Sequence, residues 1–210
     1  MTVTTTQGRF VVLEGGDASG KSTQSARLAT ELRSRGLSVL ETFEPGAGPA
    51  GGEIRHLLLH GPEAITPEAE ALLMAADRAL HVAHVVVPAL ERGEWVVSDR
   101  YLPSSLVYQG IVRGLGVDAV DRVNALATGG LEPDVVIVLD VPDEVAVARA
   151  ARHPDRLERE GATFQAAVRA GYRALAPVHG WVLVDGGGTA DEVAARVFAA
   201  VEPLLPRGAR

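Results

Sequence analysis

The residues best equipped for chemistry sit in one glycine-rich turn, Gly15-Gly16-Asp17-Ala18-Ser19-Gly20-Lys21-Ser22, followed by Thr23. Every fixed position of G-x-x-x-x-G-K-[ST] is met, and the turn falls between an apolar β-rich run and an amphipathic helical pattern, as the motif requires. Glycines at these positions let backbone N–H groups turn inward around a phosphate, and the N-terminus of the following helix adds partial positive charge. Lys21 is the sole lysine; the other nineteen of the twenty basic residues are arginines. A compact ammonium on a flexible stem suits β- and γ-phosphates better than a planar guanidinium fork. Ser22 is placed to ligate Mg²⁺. Residues 15–23 are therefore expected to bind a nucleoside triphosphate.

Asp99-Arg100 is a second candidate, at the C-terminal end of the apolar run "WVVSD", where open α/β sheets build their sites. Asp140 also ends a run of this kind and competes with Asp99 for the metal. A third is the arginine-rich stretch "RAARHPDRLERE", residues 149–160. Its His153-Pro154-Asp155 should interrupt a helix and leave a loop able to close over phosphates. Phosphoryl transfer spreads charge over several oxygens, so one lysine and one Mg²⁺ need another cation. Arg152 and Arg156 are the candidates. A solvated helix face with i,i+4 pairs, such as Arg156 with Glu160, is the alternative.

Positioning these residues requires a frame. "FVVLE" (10–14), "LSVLET" (37–42), "WVVSD" (95–99), "DVVIVLDV" (134–141) and "WVLVD" (181–185) read as buried strands alternating with helical patterns. That alternation predicts an α/β fold, a parallel sheet with helices on both faces. Thr66-Pro67 with Glu68 and Glu70 reads as the start of a long helix that Pro88 kinks or divides and Gly93 ends. "TADE" (189–192) reads as a capping box, with Val193, Val197 and Val201 facing inward. No linker or repeat divides the 210 residues, so a single domain is expected.

Composition narrows the partners. A formal charge of -7 argues against a general nucleic-acid binder. Absence of cysteine excludes disulfides and thiolate metal sites and fits a reducing compartment. The polar N-terminal "MTVTTTQGR" has no signal-peptide core, and no apolar run approaches the ~20 residues of a membrane span. A cytoplasmic protein without membrane partners is expected.

Taken in order, "EGGDASGKSTQ", "EPGAGPAGGEIRHLLL", "LLMAADRALHV", "SDRYLPSSLVYQG" and "DRLERE" resemble the thymidylate kinase family over nearly the whole chain. The resemblance implies a P-loop fold with a five-stranded parallel sheet and a mobile lid at about 149–160. It further implies ATP and dTMP as substrates, Mg²⁺ as cofactor, and a homodimer. It implies that Arg78 contacts the thymine region and Arg100 holds the acceptor phosphate. Ser105 and Gln109 would hydrogen-bond the thymine, and Tyr108 would crowd the sugar 2′ position. Arg55 and Glu44 join the dTMP site, and Asp17 and Asp99 match acidic residues near Mg²⁺ and the acceptor. Taken alone, Arg55 and Arg78 fit solvated helix faces equally well, and Ser105 fits a helix cap.

The chain departs from the family pattern at several places. Ala18 stands where one branch carries a P-loop arginine, which directs the missing cation to the lid. Phe43 stands where most members have arginine, and Ala47 interrupts a glycine pair. Met74 replaces an aromatic residue that stacks on thymine, and fits plain core as well.

Overall fold

The computed structural model describes residues 8–61, 65–149 and 156–206. Five strands form one parallel sheet: β1 (Phe10–Glu14), β2 (Val39–Phe43), β3 (Trp95–Asp99), β4 (Val135–Asp140) and β5 (Val182–Asp185), in the order β2-β3-β1-β4-β5. β1 and β3 coincide with the predicted runs. β2 starts two residues later than predicted and ends one later, β4 loses a residue at each end, and β5 starts one later. All five residues of β1 are buried, as expected for a central strand covered on both faces. Phe10 and Val12 point to one apolar cluster, Val11 and Leu13 to the other.

The helices are α1 (Lys21–Ser34), α2 (Gly51–His60), α3 (Pro67–His81), α4 (Val87–Glu91), α5 (Leu102–Ser105), α6 (Val117–Thr128), α7 (Asp143–Arg149), α8 (Ala162–His179) and α9 (Ala190–Val201). α1 and α9 cover one face through Leu28, Leu32, Val193 and Val197. Val82 and Val86, Val107 and Tyr108, and Val168 and Tyr172 of α8 cover the other. The local signals read from sequence hold at their ends. Thr66 Oγ1 accepts from Ala69 N at 3.3 Å with Pro67 at the first helical position, and Thr189 and Glu192 form the capping box.

Two π-helical turns were not foreseen. One, Val82–Val86, joins α3 to α4 just before Pro88, whose missing N–H cannot continue an α-helical ladder. The other, Leu106–Val112, extends α5 and carries Tyr108 and Gln109. Such turns concentrate at functional sites because they widen the face a helix presents. The continuous helical segment Pro67–Glu91 has the length and mean hydropathy, 1.3, of a membrane span. Yet it buries Glu70, Asp77, Arg78 and His81, a polar stripe facing the interior of the protein.

α8 meets the second π turn at Gly171, where an added Cβ would lie 2.9 Å from Val107 Cγ1 and 3.4 Å from Ile111 Cδ1. Alanine gains ~1 kcal/mol of helix propensity over glycine, whereas overpacking a core costs about 1–3 kcal/mol. Val107 is fully buried and stiff at χ1, so it has nowhere to move. Gly171→Ala is therefore expected to lower the thermal midpoint despite the better helix former, a result that a melting curve reads directly.

Candidate active site

The glycine-rich turn lies between β1 and α1, as predicted. Gly15 (φ 136°) and Gly20 (φ 98°) take conformations that favour glycine, and a Cβ on Gly15 would sit 2.5 Å from the Leu139 carbonyl oxygen. Lys21 opens α1, is 7% exposed, and donates from Nζ to the Gly16 carbonyl at 2.8 Å. Burial, with the Arg100 charge adding to it, pushes its ammonium down to about 8.

Arg100 leaves the end of β3, and β3 pairs with β1, so the arginine reaches the same turn. Its Nη1 donates to the Gly15 carbonyl at 3.2 Å and to Ser104 Oγ at 3.1 Å. Its Nη2 is hydrogen-bonded to Asp17, and its guanidinium lies 5.3 Å from the Tyr108 ring centroid. Burial pulls the Asp17 carboxyl up, but Arg100 and Lys21 together outweigh it and hold it below the ordinary range. Behind Arg100 sits Glu14, fully buried. It accepts from Tyr101 N at 2.9 Å, Ser104 Oγ at 2.7 Å and Tyr172 Oη at 2.7 Å. Desolvation pushes its carboxyl up, opposed first by the charge of Arg100.

The proposed metal ligands meet. Ser22 Oγ donates to Asp99 Oδ2 at 2.5 Å, while Asp99 Oδ1 and Ser25 Oγ are buried without a hydrogen-bond partner among the described residues. A set of oxygens with unused lone pairs beside a phosphate loop suits Mg²⁺, which takes few protein ligands and prefers oxygen. Asp140, the competing candidate, is bound to Arg173 at 2.8 Å instead.

A cavity of about 610 Å³ runs from this turn to α3 and the second π turn. Asp17, Ala18, Lys21, Ser22, Asp99 and Arg100 line one end. Glu44, Arg55, Met74, Arg78, Ser105, Tyr108 and Gln109 line the rest. Arg78 is no solvated face residue: it is 2% exposed. It donates to Glu44 at 2.8 Å, Ser105 Oγ at 3.0 Å and the Tyr101 carbonyl at 3.0 Å, and is bound to Asn124. Glu44 also receives His81 Nδ1 at 2.8 Å. Arg55 donates to the Pro45 carbonyl at 2.7 Å and lies 5.6 Å from the Phe43 ring centroid. Met74 packs against the cluster of Leu58, Leu59 and Leu157 and also lines the cavity.

One placement differs from expectation. Arg156 does not stand over the phosphate loop but is 7% exposed against α2 and α3. Its Nε donates to the Leu58 carbonyl at 2.7 Å and its Nη2 to Glu70 at 2.6 Å, because a buried carboxylate offers a guanidinium more than open solvent does. Arg152 and the His153-Pro154-Asp155 break lie outside the described residues. Arg149 reaches the Gly186 carbonyl at 3.3 Å.

Comparison with known proteins decides the family. A family model described as thymidylate kinase matches residues 13–197. The chain belongs to the thymidylate kinase family. It is 47% identical over 199 residues to a thymidylate kinase of Synechococcus sp. (strain JA-2-3B'a(2-13)), covering 94% of this chain and 96% of that protein. It is 49% identical over 194 residues to one of Leifsonia xyli subsp. xyli, covering 90% and 92%. A third, from Deinococcus radiodurans, is 43% identical over 199 residues, covering 93% and 97%.

Several residues of this kinase-family site escaped the sequence reading. Glu14, Ser104, Tyr172 and Gln165 build the second layer around Arg100 and Asp17, with Gln165 Nε2 donating to Asp17 at 3.0 Å. Arg169, 5% exposed, lies against Gly16, where an added Cβ would come within 3.0 Å of its Cγ, and pairs with Asp143 at 2.6 Å. Glu14 carried a usable signal, a charged residue closing an otherwise apolar strand. Tyr172 carried none, since its place on a helical stripe reads as core.

Lys21 yields two expectations. Near pH 8 the free protein holds its ammonium only in part. Polyphosphate binding should therefore take up a proton at pH 8.5, seen as a calorimetric heat that changes with buffer ionisation enthalpy, and affinity should fall as pH rises through 8. For stability, the folded value of about 8 lies below the ordinary 10.5, so the unfolded chain holds the extra proton between them. Stability is thus gained as pH rises from 8 to 10.5 and is lowest below 8. Lys21→Met should raise the thermal midpoint at pH 7, with the gain shrinking above pH 8.

Proposed function

We propose that the chain transfers the γ-phosphoryl group of ATP to the phosphate of dTMP, giving dTDP and ADP. The observation that carries this reading is the juxtaposition of Lys21 and Arg100 at one end of a cavity with Arg78, Ser105 and Gln109 along its other part. A phosphate oxygen of dTMP attacks the γ-phosphorus in line, and the β–γ bridging oxygen leaves with ADP. Backbone N–H groups of residues 15–22 and the Lys21 ammonium hold the β- and γ-phosphates. Arg100, already bonded to the loop through Gly15, holds the acceptor phosphate against the same group. Lys21 and Arg100 remain charged as the phosphoryl group loosens, which is where preorganised cations act most strongly. Tyr108, stacked near Arg100, keeps that guanidinium oriented and borders the sugar.

Ser22 and Asp99 would hold Mg²⁺, whose charge neutralises the β- and γ-oxygens when bound. Arg78 and Ser105 present donors toward the base. Arg152, in the expected lid, would supply a further cation, with Arg156 anchoring the end of that segment. We further propose that the enzyme works as a single-domain chain in a cytoplasmic homodimer, without nucleic-acid or membrane partners.

An ADP-release assay across nucleoside monophosphates tests the reading. dTMP should give the highest kcat/KM, and chelation of divalent cations should abolish turnover. Arg100→Ala should lower kcat by ~10²-fold or more with an unchanged circular dichroism spectrum. Absence of turnover with every acceptor would refute the proposal.

A further inference from the structure

The base end of the cavity depends on a carboxylate whose position in sequence marks only the first turn of a helix. Glu70, on α3, is 1% exposed. Its Oε1 accepts from Gln109 Nε2 at 2.9 Å and Arg113 Nε at 3.3 Å; its Oε2 accepts from Arg156 Nη2 at 2.6 Å and Arg113 Nη2 at 3.1 Å. Burial pushes a carboxyl up, but the hydrogen bonds from Arg113, Gln109 and Arg156 outweigh it and hold Glu70 ionised. An ionised carboxylate only accepts hydrogen bonds.

That restriction settles a choice that the shape of Gln109 leaves open. A primary amide can face either way, and its orientation is set by its partners. Opposite Glu70, only the NH₂ group fits. The carbonyl oxygen of Gln109 is then left for the cavity that Gln109 lines. A fixed acceptor suits a ring nitrogen that carries hydrogen and opposes one that carries a lone pair.

We infer that Glu70 is the positioning residue that sets base specificity. By holding Gln109 with its carbonyl toward the base, it selects pyrimidines with N3–H, as in thymine and uracil, against cytosine, whose N3 is an acceptor. The inference rests on the proposed phosphorylation of a pyrimidine nucleotide at this site. Arg113 and Arg156 serve it indirectly: each keeps Glu70 charged, and Arg113 is itself paired with Glu160 at 2.6 Å. The C-terminal end of the expected lid is thereby tied to the orientation of a base-reading amide.

The test compares wild type with Glu70→Gln on dTMP, dCMP and N3-methyl-dTMP. A site built around a hydrogen bond rejects a ligand that lacks it by orders of magnitude. Wild type should therefore favour dTMP over both others by ~10³-fold or more in kcat/KM. In Glu70→Gln the side chain at 70 can donate or accept, so Gln109 is free to turn. The dTMP-to-dCMP ratio should fall at least about tenfold, with kcat/KM for dCMP rising in absolute value. Equal losses on dTMP and dCMP would mark a structural role and overturn the inference. So would a wild type that uses dCMP or N3-methyl-dTMP within about threefold of dTMP, since no fixed acceptor then reads N3. If Glu70→Gln fails to fold, Gln109→Met removes the whole amide, the acceptor together with the donor that Glu70 holds, and an unchanged ratio there overturns the inference equally. A wild type without dTMP turnover would instead strike at the functional reading.

Discussion

Two cations gathered at one glycine-rich turn are the constraint around which this structure is arranged. Lys21 and Arg100 lie close enough for each charge to bear on the other, and both are largely withdrawn from solvent. Left alone, such a pair would shed a proton or push apart. Asp17, Asp99 and Glu14 hold it together, and each comes from a strand end or the turn after it. Pairing of β1 with β3 brings those ends into register, Leu13 opposite Asp99. The sheet is thus the device that gathers charge of both signs at one turn.

The far end of the cavity solves a different problem. Arg78, Glu44, His81 and Thr42 form a buried chain of hydrogen bonds in which little is left unmet. Removing one partner from a buried ion pair costs about 3–5 kcal/mol, so these residues are fixed in place rather than poised to move. The end of the cavity at the glycine-rich turn, by contrast, keeps unmet atoms such as Asp99 Oδ1.

Much of this was legible in the chain itself. Strands covered on both faces leave continuous apolar runs, and the glycine-lysine turn has fixed spacing, so β1, β3 and residues 15–23 were read closely. Glu44, Arg55, Met74, Arg78, Ser105, Tyr108 and Gln109 were named from the family resemblance, and they do line one cavity. Three-dimensional partnership was not legible. Glu70 looked like a helix-start acid, and Arg156 looked like a free loop cation, until folding set them 2.6 Å apart. The π turns were hidden as well, because an apolar stripe continues through them with only a small change of period. Boundaries slipped at β2, β4 and β5, where polar and apolar residues mix at the strand ends.

Arg100 carries a consequence for how this protein can change over generations. Its backbone sits at φ 74°, held by its own N–H on the Leu13 carbonyl and by Ser98 Oγ on its carbonyl. An L-residue in that region bears a cost of about 1–2 kcal/mol that glycine escapes. The replacement that most relaxes the backbone is therefore one that deletes the guanidinium. Glycine there would shed that cost but leave Asp17 and the buried Glu14 without the cation that faces them, and losing one partner of a buried ion pair costs about 3–5 kcal/mol. The carboxylates around it thus keep the strained arginine in place, and a chain drifting toward glycine here loses stability before it gains any.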